Sequence, residues 1–358
     1  MRYTTAPPAM LRSVSRSSWA VVSVVAFVSA CSAGADKPLP IYTPPAPPAG
    51  GETPEVPTGP ACTVVAQPEG AQGLVLAGTL LARDGLIERG EVAVDGAGVI
   101  ACVGESCAEW EGYGAATRVD CAYGVISPSF INAHDHIDFS GFSPYVDTKR
   151  RFVHRNEWRD NANGLPAARG NASAEIVVGA ELRFVMSGAT GTITSGGRPG
   201  LLRNYAGNAA ALEGLDARGT AARHCDTFPR GASTRNNPVI DGKPCDQYSR
   251  PSPRSSLYFP HIAEGINDGA ENELVCLTSG DKDVVKEGTG IIHAVGITAQ
   301  QAQLIKDRGA KVIWSPRTNI FLYGNTAPVT LLRQVGVPMA LGTDWLPSGS
   351  MNMLRELE

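Results

Sequence analysis

The sequence predicts an α/β fold: a parallel β-sheet, open or closed into a barrel, entered through a short all-β segment. Three observations predict it. From Phe130 onward, strand-like apolar runs alternate with helical patterns. Before Phe130, only short strands punctuated by Gly and Asp-Gly turns occur. Four of the six histidines, His134, His136, His261 and His293, stand at the ends of strand-like runs. Repeated βα units imply parallel strands, because each helix carries the chain back to start the next strand in the same direction.

The first 61 residues stand apart. Arg2, Arg12 and Arg16 form a positive region, followed by a short apolar stretch at 19–30. That stretch is short for a bilayer span and suits a signal peptide. It ends in Val28-Ser29-Ala30-Cys31, which resembles a bacterial lipobox; an ordinary secretory signal is the alternative. Cleavage before Cys31 would leave lipid on its sulfur and its new amine. Ser32, by resemblance to the bacterial sorting pattern, favours the outer membrane over another periplasm-facing membrane. Residues 38–60 hold nine prolines and read as a stiff, unfolded tether.

Composition narrows the function. With 43% hydrophobic and 18% charged residues, a large core is available. The net charge of −4, with no long basic run, argues against nucleic-acid binding. An exported chain meets an oxidising compartment, so disulfides are expected. With Cys31 lipidated, seven of the eight cysteines remain. Cys225 and Cys245 read as a loop staple, and two of Cys62, Cys102, Cys107 and Cys121 pair near the first strands. An odd count leaves one thiol free or paired outside the chain. A Cys102/Cys107 metal site is a weaker alternative, because no second matching pair accompanies it.

Each element follows in order. "GLVLAGTLLA", "GEVAVDGAGVIACVG" and "TRVDCAYGVISPSFI" alternate or run apolar between turns, and read as strands. "AEIVVGAELRFVMSG" (174–188) has helical apolar spacing and leads into the strand-like "ATGTITSGG". "AARHCDTFP" is the one clear strand between there and "LYFPHIAEG". "TAQQAQLIKDRG" opens with Thr298 and carries Gln301, a capping-box pattern, before the strand "AKVIWSP". "TAPVTLLRQVG" has Thr326 to cap it and Gly336 to stop it, before the strand "VPMALGTDW".

The apolar run of "FINAHDHIDF" (130–139) ends on two imidazoles, which are costly to bury without partners. Parallel strands converge their ends on one face. His-x-His places both rings on one side of a strand, because alternate residues share a face. The strand ends also carry His261, Glu264, His293 and Asp344. Converging imidazoles and a carboxylate describe a metal site.

These motifs resemble the amidohydrolase superfamily, in its imidazolonepropionase, atrazine chlorohydrolase and adenosylhomocysteine deaminase branch. The matches, in family order, are "SPSFINAHDH", "HIAEG", "IIHAVG", "SPRTNIFLYG" and "LGTDWLPSGS", within about residues 72–358. The resemblance implies a (β/α)8 TIM-like barrel with a small N-terminal β-sandwich. The organisation expected is a signal peptide at 1–30, a tether at 31–61, a sandwich part at 62–125 and the barrel at 126–358. "SMNMLRELE" reads as the opening of the eighth helix, so the barrel is expected to be incomplete at the C-terminus.

The resemblance also implies roles. His134, His136, His261 and Asp344 would hold one divalent metal, zinc or alternatively iron. Two-metal relatives use a carboxylated lysine on a middle strand; Lys149 and Lys243 end no strand, which favours one metal. An activated water would attack an sp² carbon of a cyclic amide, amidine or aminated heterocycle. His293 would hold the reacting atom, Glu264 would shuttle a proton, and Asp344 would accept one while ligating. Thr318 and Asn319 are candidates for substrate contact, as are His154 and Trp158 in the loop after the first barrel strand. His224 is expected to be structural. Deamination, ring opening and dechlorination share this machinery, and a homo-oligomer is compatible with it. The rival reading is a lipid-anchored binding protein that kept the fold and lost catalysis.

Two expectations sit awkwardly. A barrel needs two strands where "AARHCDTFP" supplies one, so a short strand is to be sought within 196–256. Glu264 lies three residues after His261, on the opposite face of an ideal strand. It reaches the site only if the chain turns near Gly265.

Overall fold

A computed structural model of the chain describes residues 59–82, 84–159, 164–166, 168, 170–198, 201–206, 257–280 and 283–358, and the backbone of 222–227. The signal segment, Cys31, Lys243 and Cys245 lie outside the described residues, as do the side chains of His224 and Cys225.

Five strands come first: β1 (Thr63–Ala66), β2 (Leu74–Ala82), β3 (Gly85–Val94), β4 (Ile100–Gly104) and β5 (Thr117–Ile126). They form one mixed sheet in the order β1-β5-β2-β3-β4. The Asp-Gly turn between β3 and β4 is closed by Asp95, whose Oδ1 accepts from the N–H groups of Ala97 and Val99 at 2.9 and 2.8 Å. Val75, Ala93, Cys107 and Ala116 pack on one face of this sheet. The second sheet of a sandwich is not found among the described residues.

Disulfides join Cys62 to Cys121 and Cys102 to Cys107. The second pairing corrects the metal-site alternative for Cys102 and Cys107, whose sulfurs bond each other. Cys276 is also disulfide-bonded, so it is not the spare thiol. The Cys62–Cys121 bridge closes 59 residues and the Cys102–Cys107 bridge closes 5. Chain entropy then assigns them about 4 and about 2 kcal/mol. Denaturant melts of Cys62→Ser/Cys121→Ser and Cys102→Ser/Cys107→Ser should show the larger loss for the first pair.

Eight parallel strands follow: β6 (Phe130–Asp135), β7 (Ala189–Thr194), β8 (Arg203–Asn204), β9 (Ala222–Thr227), β10 (Leu257–Ile262), β11 (Gly290–His293), β12 (Lys311–Trp314) and β13 (Met339–Leu341). One sheet runs β6-β7-β8 and the other β13-β12-β11-β10-β9. A single parallel bridge, Asp135 to Asp344, joins β6 to the chain just after β13. No ladder joins β8 to β9 among the described residues, so the architecture is a mixed α/β fold with parallel sheets. The short strand sought within 196–256 is β8. Two residues carry no periodicity, and Asn204 secures them by donating to the carbonyls of Thr194 and Gly196 at 3.2 Å.

The helices are α1 (Arg155–Arg159), α2 (Ala174–Met186), α3 (Asp268–Leu277), α4 (Ala299–Asp307), α5 (Pro316–Tyr323), α6 (Val329–Val335) and α7 (Met353–Leu357). The capping box on α4 is formed at both ends: Gln301 N–H donates to Thr298 Oγ1, and Thr298 N–H to Gln301 Oε1. Thr326 does not cap α6. That helix begins after Pro328, while the Thr326 hydroxyl accepts from the Trp314 indole at 2.6 Å. Gly336 ends α6 at φ 82°, a left-handed position that favours glycine. Ile262, Leu274, Ile291, Ile305, Val312 and Leu332 pack the helices onto the parallel sheet. Their burial leaves the strand ends, where the polar residues stand, as the face open to chemistry.

Candidate metal centre and active site

Strand β6 places Asn132 and His134 on one face and Asp135 on the other. Three local devices bring β13 against it. Gly342 lies so close that a Cβ there would meet the His134 backbone N and O at 2.8 Å. Thr343 is locked on both sides: its N–H donates to Asn132 Oδ1 at 3.0 Å, and its hydroxyl to Asp135 Oδ2 at 2.8 Å. Asp344 then takes φ 56°, a costly conformation for an L-residue, and its N–H donates to the His134 carbonyl. The Gly-Thr-Asp run is therefore a steric and hydrogen-bonding device that aims the Asp344 carboxylate at the imidazoles.

Four donor atoms converge there. His134 Nε2 lies 3.2 Å from Asp344 Oδ1, and His136 Nε2 lies 3.6 Å from the same oxygen. His136 Nε2 and His261 Nε2 are 3.3 Å apart. Zinc–ligand bonds of 2.0–2.1 Å give a tetrahedron with edges of about 3.4 Å. Two overlapping groups have ligand atoms within 4.8 Å of one another, His134/His136/Asp344 and His134/His261/His293, and imidazoles with one carboxylate suit a divalent metal. His293 lies beside the set, its ring nitrogen within 4.8 Å of those of His134 and His261.

Electrostatics prepare the donors. Burial holds His134 below its ordinary pKa, and burial with the neighbouring His134 ring holds His136 down to about 4. Both are neutral near pH 7, as ligation requires. Burial pushes the Asp344 carboxyl upward, but the His134, His293 and His136 rings together outweigh it and hold its pKa below the ordinary value. Asp135, on the far side of the strand, is pushed up to about 7 by burial.

Glu264 reaches the site by a turn. Strand β10 stops at Ile262, and Ala263 takes φ 53°. Gly265 then pairs with His154, so close that a Cβ would meet the Val153 carbonyl at 2.5 Å. The strand's alternation ends there, and Glu264 sits 3% exposed with Oε1 3.7 Å from His293 Nε2. Pro260, which has no N–H to give a ladder, coincides with a register shift between β10 and β9.

A cavity of about 200 Å³ opens onto these groups. His136, His261, Glu264, His293 and Asp344 line its floor. Trp158 and Trp345, with ring centroids 5.0 Å apart, and Tyr145 line its wall. Three expected substrate contacts need correction. His154 is wholly buried, its Nε2 3.1 Å from Glu273 Oε1, and does not line the cavity. Thr318 is spent on Ser348, with 2.6 Å between the hydroxyls. Asn319 accepts from His293 Nδ1 at 3.0 Å through Oδ1, while its amide faces Thr326. It acts on His293 by fixing the proton on Nδ1, which leaves Nε2 to face the cavity.

Sequence reasoning missed two groups. Tyr323 donates its hydroxyl to Glu264 Oε1 at 2.8 Å. Glu273 on α3 accepts from the Ala263 N–H at 2.8 Å and pairs with Arg155, both charges fully buried. Glu273 interrupts an apolar helix face, which was its only signal. Burial raises its pKa, and the Arg155 charge beside it more than reverses the effect. Glu273→Ala would remove a carboxylate that pairs with the buried Arg155 charge. A stability loss of about 3–5 kcal/mol is expected in denaturant titration.

No protein-family model matches the chain. A 5-methylthioadenosine/S-adenosylhomocysteine deaminase of Halobacterium salinarum is 24% identical over 327 residues, spanning 77% of this chain and 69% of the relative. A protein of the same name from Teredinibacter turnerae is 38% identical over 71 residues, 20% of this chain and 16% of the relative. Both relatives are named as deaminases. Among solved structures, a zinc-bound adenosine deaminase from Xanthomonas campestris aligns at 16% identity and TM-score 0.44, covering 78% of this chain and 70% of that one. A zinc complex of atrazine chlorohydrolase from Arthrobacter aurescens aligns at 14% identity and TM-score 0.48, covering 76% and 72%.

Proposed function

We propose that the protein is a mononuclear metal-dependent hydrolase that removes a nitrogen from a small cyclic substrate, with an aminated heterocycle preferred. The observation that carries this reading is the clustering of His134, His136, His261 and Asp344, with three donor pairs 3.2–3.6 Å apart, beside Glu264. The deaminase names of the relatives support an exocyclic amine over a cyclic amide. In this reading the four residues hold one ion, zinc before iron. A barrel closed between β8 and β9 belongs to the same reading.

When bound, the ion supplies a Lewis acid that lowers the pKa of its water, towards about 7 in favourable sites. The chain's own residues do the rest. Glu264 takes a proton from the attacking water and passes it to the leaving nitrogen. His293, its Nδ1 tied to Asn319, holds the reacting oxygen or nitrogen through Nε2. Asp344 would receive the water's second proton and return it to the ring nitrogen, which carries it in the product. Trp158 and Trp345 offer flat apolar faces for a planar ring.

The test is a panel on the full-length, zinc-loaded protein: 5-methylthioadenosine, S-adenosylhomocysteine, a cyclic amide, an amidine and a chlorinated triazine. Ammonia release from an aminated ring supports the reading. Chloride release from the triazine alone would replace it with carbon–chlorine hydrolysis, and no turnover of any compound would sink it.

For location, we propose a lipid anchor at Cys31, on the outer membrane or another membrane facing the periplasm. The lipobox-like run and the proline-rich tether support it. Among the described residues, no helix is long and apolar enough to cross a membrane. Cys31→Ser is expected to move the protein from the membrane pellet to the soluble fraction. Unchanged partitioning would rule the anchor out.

A further inference from the structure

Behind the cavity wall, Tyr323, which the hydrolytic reading does not use, links Trp158 to Glu264. Trp158 lines the cavity, and its indole N–H donates to the Tyr323 hydroxyl at 2.9 Å. That hydroxyl donates in turn to Glu264 Oε1 at 2.8 Å. Tyr323 is 2% exposed and does not line the cavity, so it meets no substrate. Burial and the Glu264 carboxylate push its pKa well above the ordinary phenol value, so it stays a neutral donor. Helix α5 holds both Tyr323 and Asn319, and through them it touches Glu264 and His293 together.

The turn at Glu264 makes such a support necessary. Ala263 and His293 both sit at positive φ, and a carboxylate on a strained turn has no strand ladder to fix it. A carboxylate that must transfer a proton loses rate if its oxygen wanders by about an ångström. One phenolic donor on Oε1 leaves Oε2 as the oxygen free to turn towards the reacting atoms.

We propose that Tyr323 is a positioning residue: it couples the Trp158 wall of the substrate cavity to the Glu264 carboxylate as one hydrogen-bonded unit. The proposal rests on Glu264 being the proton carrier, and its test separates the two ideas.

The first measurement needs no substrate. In zinc-loaded, ¹⁵N-labelled protein, the Trp158 indole resonance is identified among the five tryptophans by its loss in Trp158→Phe. Glu264→Gln should move that resonance in the wild-type background and leave it in place in the Tyr323→Phe background. An equal response in both backgrounds, or none in either, overturns the coupling.

The second measurement is kinetic, on 5-methylthioadenosine or whichever panel compound turns over fastest. Tyr323→Phe should lower kcat about tenfold or more, with KM within about twofold and full zinc content. In a Glu264→Gln background the same change should add little, because both substitutions disable one unit. If Glu264→Gln impairs turnover but Tyr323→Phe does not, this inference fails and the hydrolytic reading stands. If Glu264→Gln keeps full turnover, the assignment of Glu264 fails, and the resonance measurement alone decides the coupling.

Discussion

His136→Ala should purify with only a trace of metal, where the parent chain carries one ion, and should lose more than about 10³-fold in turnover. His136 is the informative choice among the donors. It stands just past the end of β6 and is only half-buried, so its removal opens no large core cavity. His134, by contrast, is fully buried against Gly342, and its loss would disturb packing as well. Elemental analysis checks the stoichiometry. Zinc titration checks the site without substrate: added zinc should raise the parent's melting temperature, since a ligand of the native state stabilises it by mass action. The variant's should stay nearly flat. Two ions per parent chain would overturn the single-metal assignment.

Glu264→Gln should keep the fold and the ion and lose about 10²-fold or more in turnover. The substitution is close to isosteric, and its amide oxygen can still accept from Tyr323. What it removes is the capacity to carry a proton. A solvated glutamate would tolerate the change within about 0.5 kcal/mol and keep its rate. The carboxylate is instead 3% exposed, between the Tyr323 hydroxyl and His293. Near-parental turnover in the metal-replete variant would remove Glu264 from the mechanism.

Both predictions depend on residues whose meeting was partly legible in the chain and partly not. The capping box of Thr298 and Gln301, the helical spacing of 174–188 and the apolar runs before His134 and His293 are local signals. They act over a few residues, so they can be read without the fold. The pairing of Cys102 with Cys107 was open in the sequence, because cysteine spacing alone does not specify connectivity. Thr326 was misread as a cap. Its hydroxyl serves the Trp314 indole, a partner 12 residues away in sequence.

What the sequence by itself determined is the chemistry available: three imidazoles and a carboxylate at the ends of βα units, with an apolar alternation able to bury the strands beneath them. Strand periodicity is a local property, and parallel strands bring their ends to one face. Tertiary structure alone decided which donors stand 3.2–3.6 Å apart. It also decided that Glu264 turns inward through Ala263, and that His154, Thr318 and Asn319 support the site from behind. Those outcomes rest on close approaches, at Gly342 against His134 and Gly265 against Val153, and on hydrogen bonds such as Asn132 to Thr343, 211 residues apart. Contacts of that range are set by how whole sheets pack, and no window of the sequence contains both partners.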